Sequence, residues 1–306
     1  MLFDVNGLKL TNDTFGHKVG DELLRKVAQV MKEECRADDI IARIGGDEFV
    51  VILPKTDSEA VGIMAKRISA RLFKEKVNSL PVSISFGWDT KKESEQDIEA
   101  VLKKAEDHLY KHKLTESASM HSHSIEMIMQ TLNEKVDGNE EHAKRVSVWC
   151  FLMGSALKLD RGIISDLSTA GLMHDIGNIA IDARILNKPG LLTNAEWSEI
   201  KKHPEIGFRV LSSVNELAPL AEVILAHHER WDGTGYPKGL KGEEIPLKAR
   251  ILSVADAYDA MTSERPYRKA KSKDVAIEEI RKHAGTQFDP VIAKLFIEKV
   301  LGEKGL

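Results

Sequence analysis

Two ionisable side chains stand next to each other in an apolar setting, His174-Asp175 within Ala170-Gly-Leu-Met-His-Asp-Ile-Gly177. Apolar neighbours imply a buried helix, and burying an imidazole beside a carboxylate is costly unless something offsets it. A divalent cation offsets it, because both groups are ligands of first-row metals and a carboxylate can bridge two ions. The alternative is a buried His–Asp hydrogen bond. Against that alternative stand further candidates downstream: His142, His203 in Lys202-His-Pro-Glu205, the pair His227-His228, and Asp256 in Ile251-Leu-Ser-Val-Ala-Asp-Ala-Tyr-Asp-Ala260. Together they point to a metal cage.

Around these residues lie groups suited to phosphate and bases. Arg265 and Arg268, in Glu264-Arg-Pro-Tyr-Arg268, could present planar forks to phosphate oxygens. Gly233-Thr-Gly-Tyr-Pro237 joins backbone freedom to a rigid proline and an aromatic ring, so Gly235, Tyr236 and Pro237 suit close approach to a nucleotide base or a partner domain, or serve as a simple loop clamp. Near the start of the chain, Arg43-Ile-Gly-Gly-Asp-Glu-Phe49 sets Gly45-Gly46 in a tight hairpin beside two carboxylates, Asp47 and Glu48, which can hold a hard cation or be merely exposed acids.

The elements that must position these groups fall into two sets. At 306 residues the chain has room for two cores. Up to residue 113 the pattern is mixed: Leu23, Leu24, Val27, Val30 and Met31 have helical spacing, Phe49 to Leu53 is a compact apolar run, and Val82, Ile84 and Phe86 alternate like a strand. A helical period returns from Ile98 to Lys113, and small polar residues from Thr115 to His123 are expected to interrupt it. Beyond Ile125 nearly every segment is helical, broken by turns at Lys188-Pro-Gly190 and Asp232–Pro237. The reading is thus an α+β domain over 1–114, a linker over 115–123, and an all-α domain over 124–306.

Composition excludes several functions. Lys and Arg total 44 against 48 Asp and Glu, a formal charge of -4, so no basic field gathers nucleic-acid polymers or anionic membrane. Apolar residues never form a run long enough for a membrane span or signal peptide, so a cytoplasmic protein without a membrane segment is expected. The two cysteines, Cys35 and Cys150, fall in different domains and suggest neither a disulfide nor a thiolate site.

Asp4-Val-Asn-Gly-Leu-Lys9, Asn12-Asp13, Gly16-His17 and Gly20-Asp21, followed by the Gly45-Gly-Asp-Glu-Phe49 signature, resemble GGDEF diguanylate cyclases in order and spacing. The resemblance implies a ferredoxin-like, nucleotide-cyclase-like sheet with helices. It implies Mg²⁺ on Asp4, Asp47 and Glu48, guanine contacts from Asn12 and Asp21, and Lys113 on the triphosphate of GTP. Arg36-Ala-Asp-Asp39 resembles the inhibitory product site of that family, through Arg36 and Asp39. Two departures weigh against cyclase activity in this chain. A basic residue expected one turn after Lys113 is Ser117, and the leading helix and Asp-x-Leu-Thr turn have no counterpart before Asp4, so a layer of the fold is expected to be missing and apolar surface exposed. Synthesis of cyclic-di-GMP would also need two GTP-loaded domains facing each other, a homodimer or its equivalent with a partner domain.

His174-Asp175, His227-His-Glu-Arg-Trp-Asp-Gly-Thr-Gly-Tyr-Pro237, Ile245-Pro-Leu-Lys-Ala-Arg250 and Gln287-Phe-Asp-Pro290 resemble the HD-GYP phosphohydrolases over about residues 125–300. That resemblance implies metal ligation by His142, His174, Asp175, His203, His227, His228 and Asp256, with Asp175 bridging and Arg265 and Arg268 on phosphate. Gly138 stands where members with a third ion have glutamate, so two ions are expected, iron or manganese rather than zinc given nitrogen and oxygen donors alone. Asn178 replaces the usual lysine and removes a positive group near the scissile phosphate. The implied activity is hydrolysis of cyclic-di-GMP to pGpG and onward to GMP, under a regulatory GGDEF domain. The alternatives are a catalytically weakened sensor of cyclic-di-GMP or GTP, and a fragment of a bifunctional cyclase and phosphodiesterase.

Overall fold

The structure, a computed structural model, describes residues 1–306 except 79, 137, 215, 265–268 and 304–306, and describes only the backbone of 80, 81, 114–125 and 127. It divides into two compact units, Met1–Ile128 and Met129–Leu306.

In the first unit, strand β1 (Leu2–Val5) lies inside an antiparallel sheet with β2 (Ile40–Arg43), β3 (Glu48–Ile52) and β6 (Ile84–Gly87), in the order β2-β3-β1-β6. Its register sets Asp4 opposite Glu48 on one side and Ser85 on the other. Strands β4 (Lys76–Val77) and β5 (Leu80–Pro81) form a separate short ribbon. Helices α1 (Leu8–Phe15), α2 (His17–Glu34) and α3 (Ser58–Leu72) cover the sheet. The expected stripe of α2 is buried, with Val27, Val30 and Met31 packing into one core with Phe3, Val51, Ile68, Leu72 and Ile84. The α+β expectation holds.

Strand β6 is buried at all four positions rather than alternately. Helix α4 (Ile98–Lys135) supplies the second cover: a methyl on Gly87 would meet the backbone nitrogen of Leu109 at 2.2 Å. The interruption expected over 115–123 does not occur, because α4 continues through it. Those residues include no proline or glycine, and serine and histidine lower helix stability by only about 0.5 kcal/mol each, too little to end a helix already propagating. Elsewhere the sheet keeps apolar surface uncovered, in a groove of about 700 Å³ lined by residues including Met1, Leu2, Val50, Ile52, Ile98 and Leu102.

Among its described residues the second unit is built of helices joined by loops, with no strand beyond an isolated bridge between Ala284 and Phe288. It comprises α5 (Asn139–Ala156), α6 (Arg161–Met173), a 3-10 turn (Ile176–Ala180), α7 (Ala183–Leu186), α8 (Asn194–Ile200), α9 (His203–Ser212), α10 (Ala218–Ala226), α11 (Leu247–Thr262), α12 (Lys273–Lys282) and α13 (Pro290–Leu295), which passes into a π turn (Phe296–Val300). Val146, Cys150, Met153, Leu167, Ala170, Ile251 and Leu252 form part of its buried core. Helices α5 and α6 cross closely because Gly171 carries no side chain: a methyl there would stand 2.7 Å from the Ser147 Cα. That crossing brings the end of α6 beside His142 of α5, with the His142 and His174 ring centroids 5.2 Å apart. Cys35 is partly buried and Cys150 fully buried.

Candidate metal centre

Three helix ends build the centre. His174 caps the C-terminus of α6, His203 follows α8 and opens α9, and His227 caps α10. Each imidazole turns its Nδ1 back three residues onto a carbonyl in the last turn of the preceding helix: His174 onto Gly171 at 2.9 Å, His203 onto Ile200 at 2.7 Å, and His227 onto Ile224. Such carbonyls have no partner within their helix. A carbonyl only accepts, so each Nδ1 carries a proton, and in the neutral tautomer this selects, Nε2 presents its lone pair to the interior. Burial disfavours charge on His203, His227 and His228, pushing the pKa of His203 down and that of His227 far down, while His228 falls to about 4 through burial and the neighbouring His203.

The lone pairs meet in a way that protein alone does not satisfy. His203 Nε2 and His227 Nε2 are 3.2 Å apart with no proton between them in this tautomer, and His174 Nε2 is buried without a hydrogen-bond partner. A cation resolves both conflicts. Among the described residues two donor groups are present, His203 with His227 and His228, and His142 with His174 and Asp175; within each group the donor atoms lie within 4.8 Å of one another. Asp175 spans them, with Oδ1 3.5 Å from His203 Nε2 and Oδ2 3.6 Å from His174 Nε2. Asp256, from α11, sets Oδ1 3.3 Å from His142 Nε2 and 3.8 Å from His174 Nε2. All seven residues expected to ligate metal therefore converge, and their nitrogen and oxygen donors fit first-row divalent ions.

Charge in the centre is balanced by contact. Burial alone would raise the carboxyls of Asp175 and Asp256, yet the surrounding imidazoles, His174 and His203 for the first and His142 and His174 for the second, hold both below the ordinary carboxylate range. His142 behaves oppositely to the other rings. Burial disfavours its charge, but hydrogen bonds to Asp256 and Asp259 prevail and raise its pKa to about 9.

Asp259 is a residue that sequence reasoning passed over. Its Oδ2 accepts from His142 Nδ1 at 2.7 Å, and Arg145 grips the same carboxylate from Nε at 2.7 Å and Nη2 at 3.0 Å. An outer carboxylate of this kind fixes the tautomer of a ligating histidine. The signal was a pair of i, i+3 spacings: Asp256 with Asp259 on α11, and His142 with Arg145 on α5.

Glu229 was passed over too. Buried directly after the histidine pair, its carboxylate accepts from the backbone N–H of Lys238 at 2.7 Å, Gly239 at 3.1 Å and Leu240 at 3.0 Å. It thereby holds the chain that follows Gly235, Tyr236 and Pro237, whose Tyr236–Pro237 bond is cis, and the Tyr236 ring stacks on His228 with centroids 5.0 Å apart and planes 25° from parallel. Glu229→Ala is expected to remove about 2 kcal/mol of stability, since three donors to one charged acceptor lose their partner. Urea unfolding of the variant against the parent chain measures it.

Asn178 is buried, its Oδ1 without a partner, and a positive group does lie beside it: Lys135 Nζ donates to the main-chain oxygens of Ile179 at 2.7 Å and Asn178 at 3.4 Å. Glu140, near the glycine at position 138, is exposed and pairs with Lys144 instead. Arg265 and Arg268 lie outside the described residues.

In the first unit the Gly45-Gly46 turn connects β2 to β3, closed by Arg43, whose guanidinium donates to the Gly46 oxygen at 2.7 Å. Asp47 and Glu48 come alongside Asp4 through the Val5 N–H, which donates to the Asp47 oxygen at 2.9 Å, and through the strand register. Lys113 makes an ion pair with Asp4 at 2.7 Å, and burial raises the Asp4 carboxyl despite it. Asn12 folds over Gly20, where a methyl would meet Asn12 Oδ1 at 1.9 Å, next to Asp21. Asp21 and Phe49 line one cavity of about 480 Å³ with Leu24, Arg25 and Arg43. Arg36 and Asp39 close a turn in which the Arg36 backbone N–H, not its guanidinium, donates to Asp39 at 2.7 Å.

A helical bundle whose helix ends and inner faces gather histidines and aspartates into two adjoining donor groups defines a metal-dependent HD-type centre, here preceded by a sheet unit with an acidic Gly-Gly turn. The chain belongs to the HD domain family, whose sequence model matches residues 126–292, and its residues 1–119 match the diguanylate cyclase, GGDEF domain. A cyclic di-GMP phosphodiesterase of Thermotoga maritima is 40% identical over 174 residues, which cover 56% of this chain and 47% of that protein. The cyclic di-GMP phosphodiesterase response regulator RpfG of Xanthomonas campestris pv. campestris is 39% identical, covering 55% of this chain and 45% of its own length. A 3′3′-cGAMP-specific phosphodiesterase of Vibrio cholerae is 36% identical, covering 54% of this chain and 37% of its own. The chain thus spans less than half the length of these relatives. No helix among the described residues is long and apolar enough to cross a membrane.

Proposed function

We propose that the helical unit hydrolyses cyclic-di-GMP to pGpG and onward to GMP, with two divalent ions, iron or manganese, held by His142, His174, Asp175, His203, His227, His228 and Asp256. The observation that carries this reading is the confrontation of unprotonated nitrogens, His203 Nε2 and His227 Nε2 at 3.2 Å, in a buried cage spanned by one carboxylate. Bound ions would lower the pKa of water and offset charge building on the phosphodiester oxygens. Asp175 and Asp256 remain ionised and supply negative donors, while the Nδ1 anchors keep three imidazoles aimed inward. Asp259 holds His142 in place, and Tyr236, on its Glu229-braced loop, walls the cage beside His228. Arg265 and Arg268 are assigned to the substrate phosphates.

In the same proposal residues 1–114 form a GGDEF domain and 124–306 the phosphodiesterase, working in the cytoplasm. Mg²⁺ and GTP belong at Asp4, Asn12, Asp21, Gly45, Gly46, Asp47, Glu48, Phe49 and Lys113, cyclic-di-GMP at Arg36 and Asp39, and homodimers form through this domain. The test is anaerobic purification, metal analysis, and chromatography of digests of cyclic-di-GMP and of 3′3′-cGAMP. Iron or manganese near two per chain, with pGpG released, is the expected result. Metal-loaded protein that leaves cyclic-di-GMP intact refutes the substrate, and preference for the mixed dinucleotide reassigns it.

A further inference from the structure

Beside the cage lies a feature that none of the assigned roles uses. Trp197, on α8, is 44% exposed despite its size. One turn later, Lys201 sets its ammonium between two rings, 5.8 Å from the Trp197 centroid and 5.3 Å from that of Tyr236. Tyr236 stacks in turn on His228, and two residues beyond Lys201 the His203 ring enters the cage. A continuous aromatic and cationic shelf therefore leads outward from a candidate metal ligand.

The Lys201 charge has no counterpart among the described residues. The nearby carboxylates are taken by other lysines: Glu196 pairs with Lys188 at 2.7 Å and Glu199 with Lys202 at 2.6 Å. An ammonium resting on ring faces but paired with no acid can receive an anion, and an exposed indole can receive a flat base. A cyclic dinucleotide offers both at once. When one phosphodiester sits at the metal cage, the macrocycle keeps its second phosphate and its purines close by.

We propose that Trp197 and Lys201 form the subsite for the non-reacting half of a cyclic dinucleotide, Trp197 stacking a purine and Lys201 meeting the second phosphate. This rests on the phosphodiesterase reading given above. A shelf that merely braced Tyr236 would act through His228 and alter every diester alike, whereas a subsite alters only substrates that possess a second nucleotide.

The test compares Trp197→Ala and Lys201→Met with the parent chain, at matched metal content, on cyclic-di-GMP and on bis(p-nitrophenyl) phosphate. Each variant is expected to raise KM for cyclic-di-GMP about tenfold. The ratio of kcat/KM for cyclic-di-GMP to that for the small diester should fall by about the same factor, and Lys201→Met should flatten the salt dependence of KM. A ratio equal to that of the parent, with cyclic-di-GMP still hydrolysed, overturns the subsite and leaves the enzyme reading intact. Parent protein that cleaves the small diester but neither cleaves nor is inhibited by any cyclic dinucleotide overturns both.

Discussion

Asp175→Ala should lose both bound ions and lower cyclic-di-GMP hydrolysis by at least about a thousandfold, because this carboxylate is shared by the two donor groups. Its oxygens lie 3.5 Å from His203 Nε2 and 3.6 Å from His174 Nε2, so no other side chain can replace either contact without moving a helix. Loss of a single imidazole, as in His174→Ala, removes one donor of one group and should weaken metal binding steeply, with hydrolysis falling in step. Atomic emission analysis of purified protein, paired with single-turnover digests, reads both effects. Undiminished turnover in Asp175→Ala would sink the assignment of the cage. The comparison separates ligation from folding, since Asp175 contributes charge to the cavity and little apolar packing.

The second large effect comes from a residue with no side chain. Gly177, in the turn after the His174-Asp175 pair, lies against the start of α9: a methyl would stand 1.9 Å from the His203 oxygen and 2.7 Å from the Gly207 nitrogen. Both obstacles are backbone, so no rotamer change relieves them. Gly177→Ala should therefore cost about 3 kcal/mol or more and lower Tm by about 6–12 °C. It should also weaken metal binding, because the helix pushed aside carries His203. Gly162→Ala is the internal control. That glycine lies near the start of α6 with nothing within 4 Å of an added methyl, and the change should leave Tm equal or slightly raised. A Gly177→Ala protein that melts with the parent would show that turn and helix can separate freely.

Most of this was legible in the residues themselves. The cage was readable because setting His174-Asp175 among apolar neighbours has few physical solutions, although the pair proves to lie at the end of α6 and in the turn after it rather than inside a helix. The α+β and all-α division followed from periodicity alone. Less legible was anything set by what packs on the far side of an element. The alternation of Val82, Ile84 and Phe86 marked a strand but carried no sign of what packs on its other face, where α4 lies against Gly87. The polar stretch from Thr115 to His123 looked like a linker, but polarity does not break a helix that lacks glycine and proline. Asp259 and Glu229 were overlooked for a related reason. Each serves a ligand or a loop from behind: Asp259 was marked only by its i, i+3 spacing from Asp256, and the partners of Glu229 are backbone donors that carry no sequence signature.

The three imidazoles that spend one nitrogen on a helix-end carbonyl also limit how such a protein can change. An aspartate at position 174, 203 or 227 would bring a second acceptor against that carbonyl and lose the anchor along with the donor. Drift toward an oxygen-rich site for harder ions is thereby blocked at these positions, and a protein engineer seeking one would have to begin at His142 or His228, whose rings are not tethered in this way.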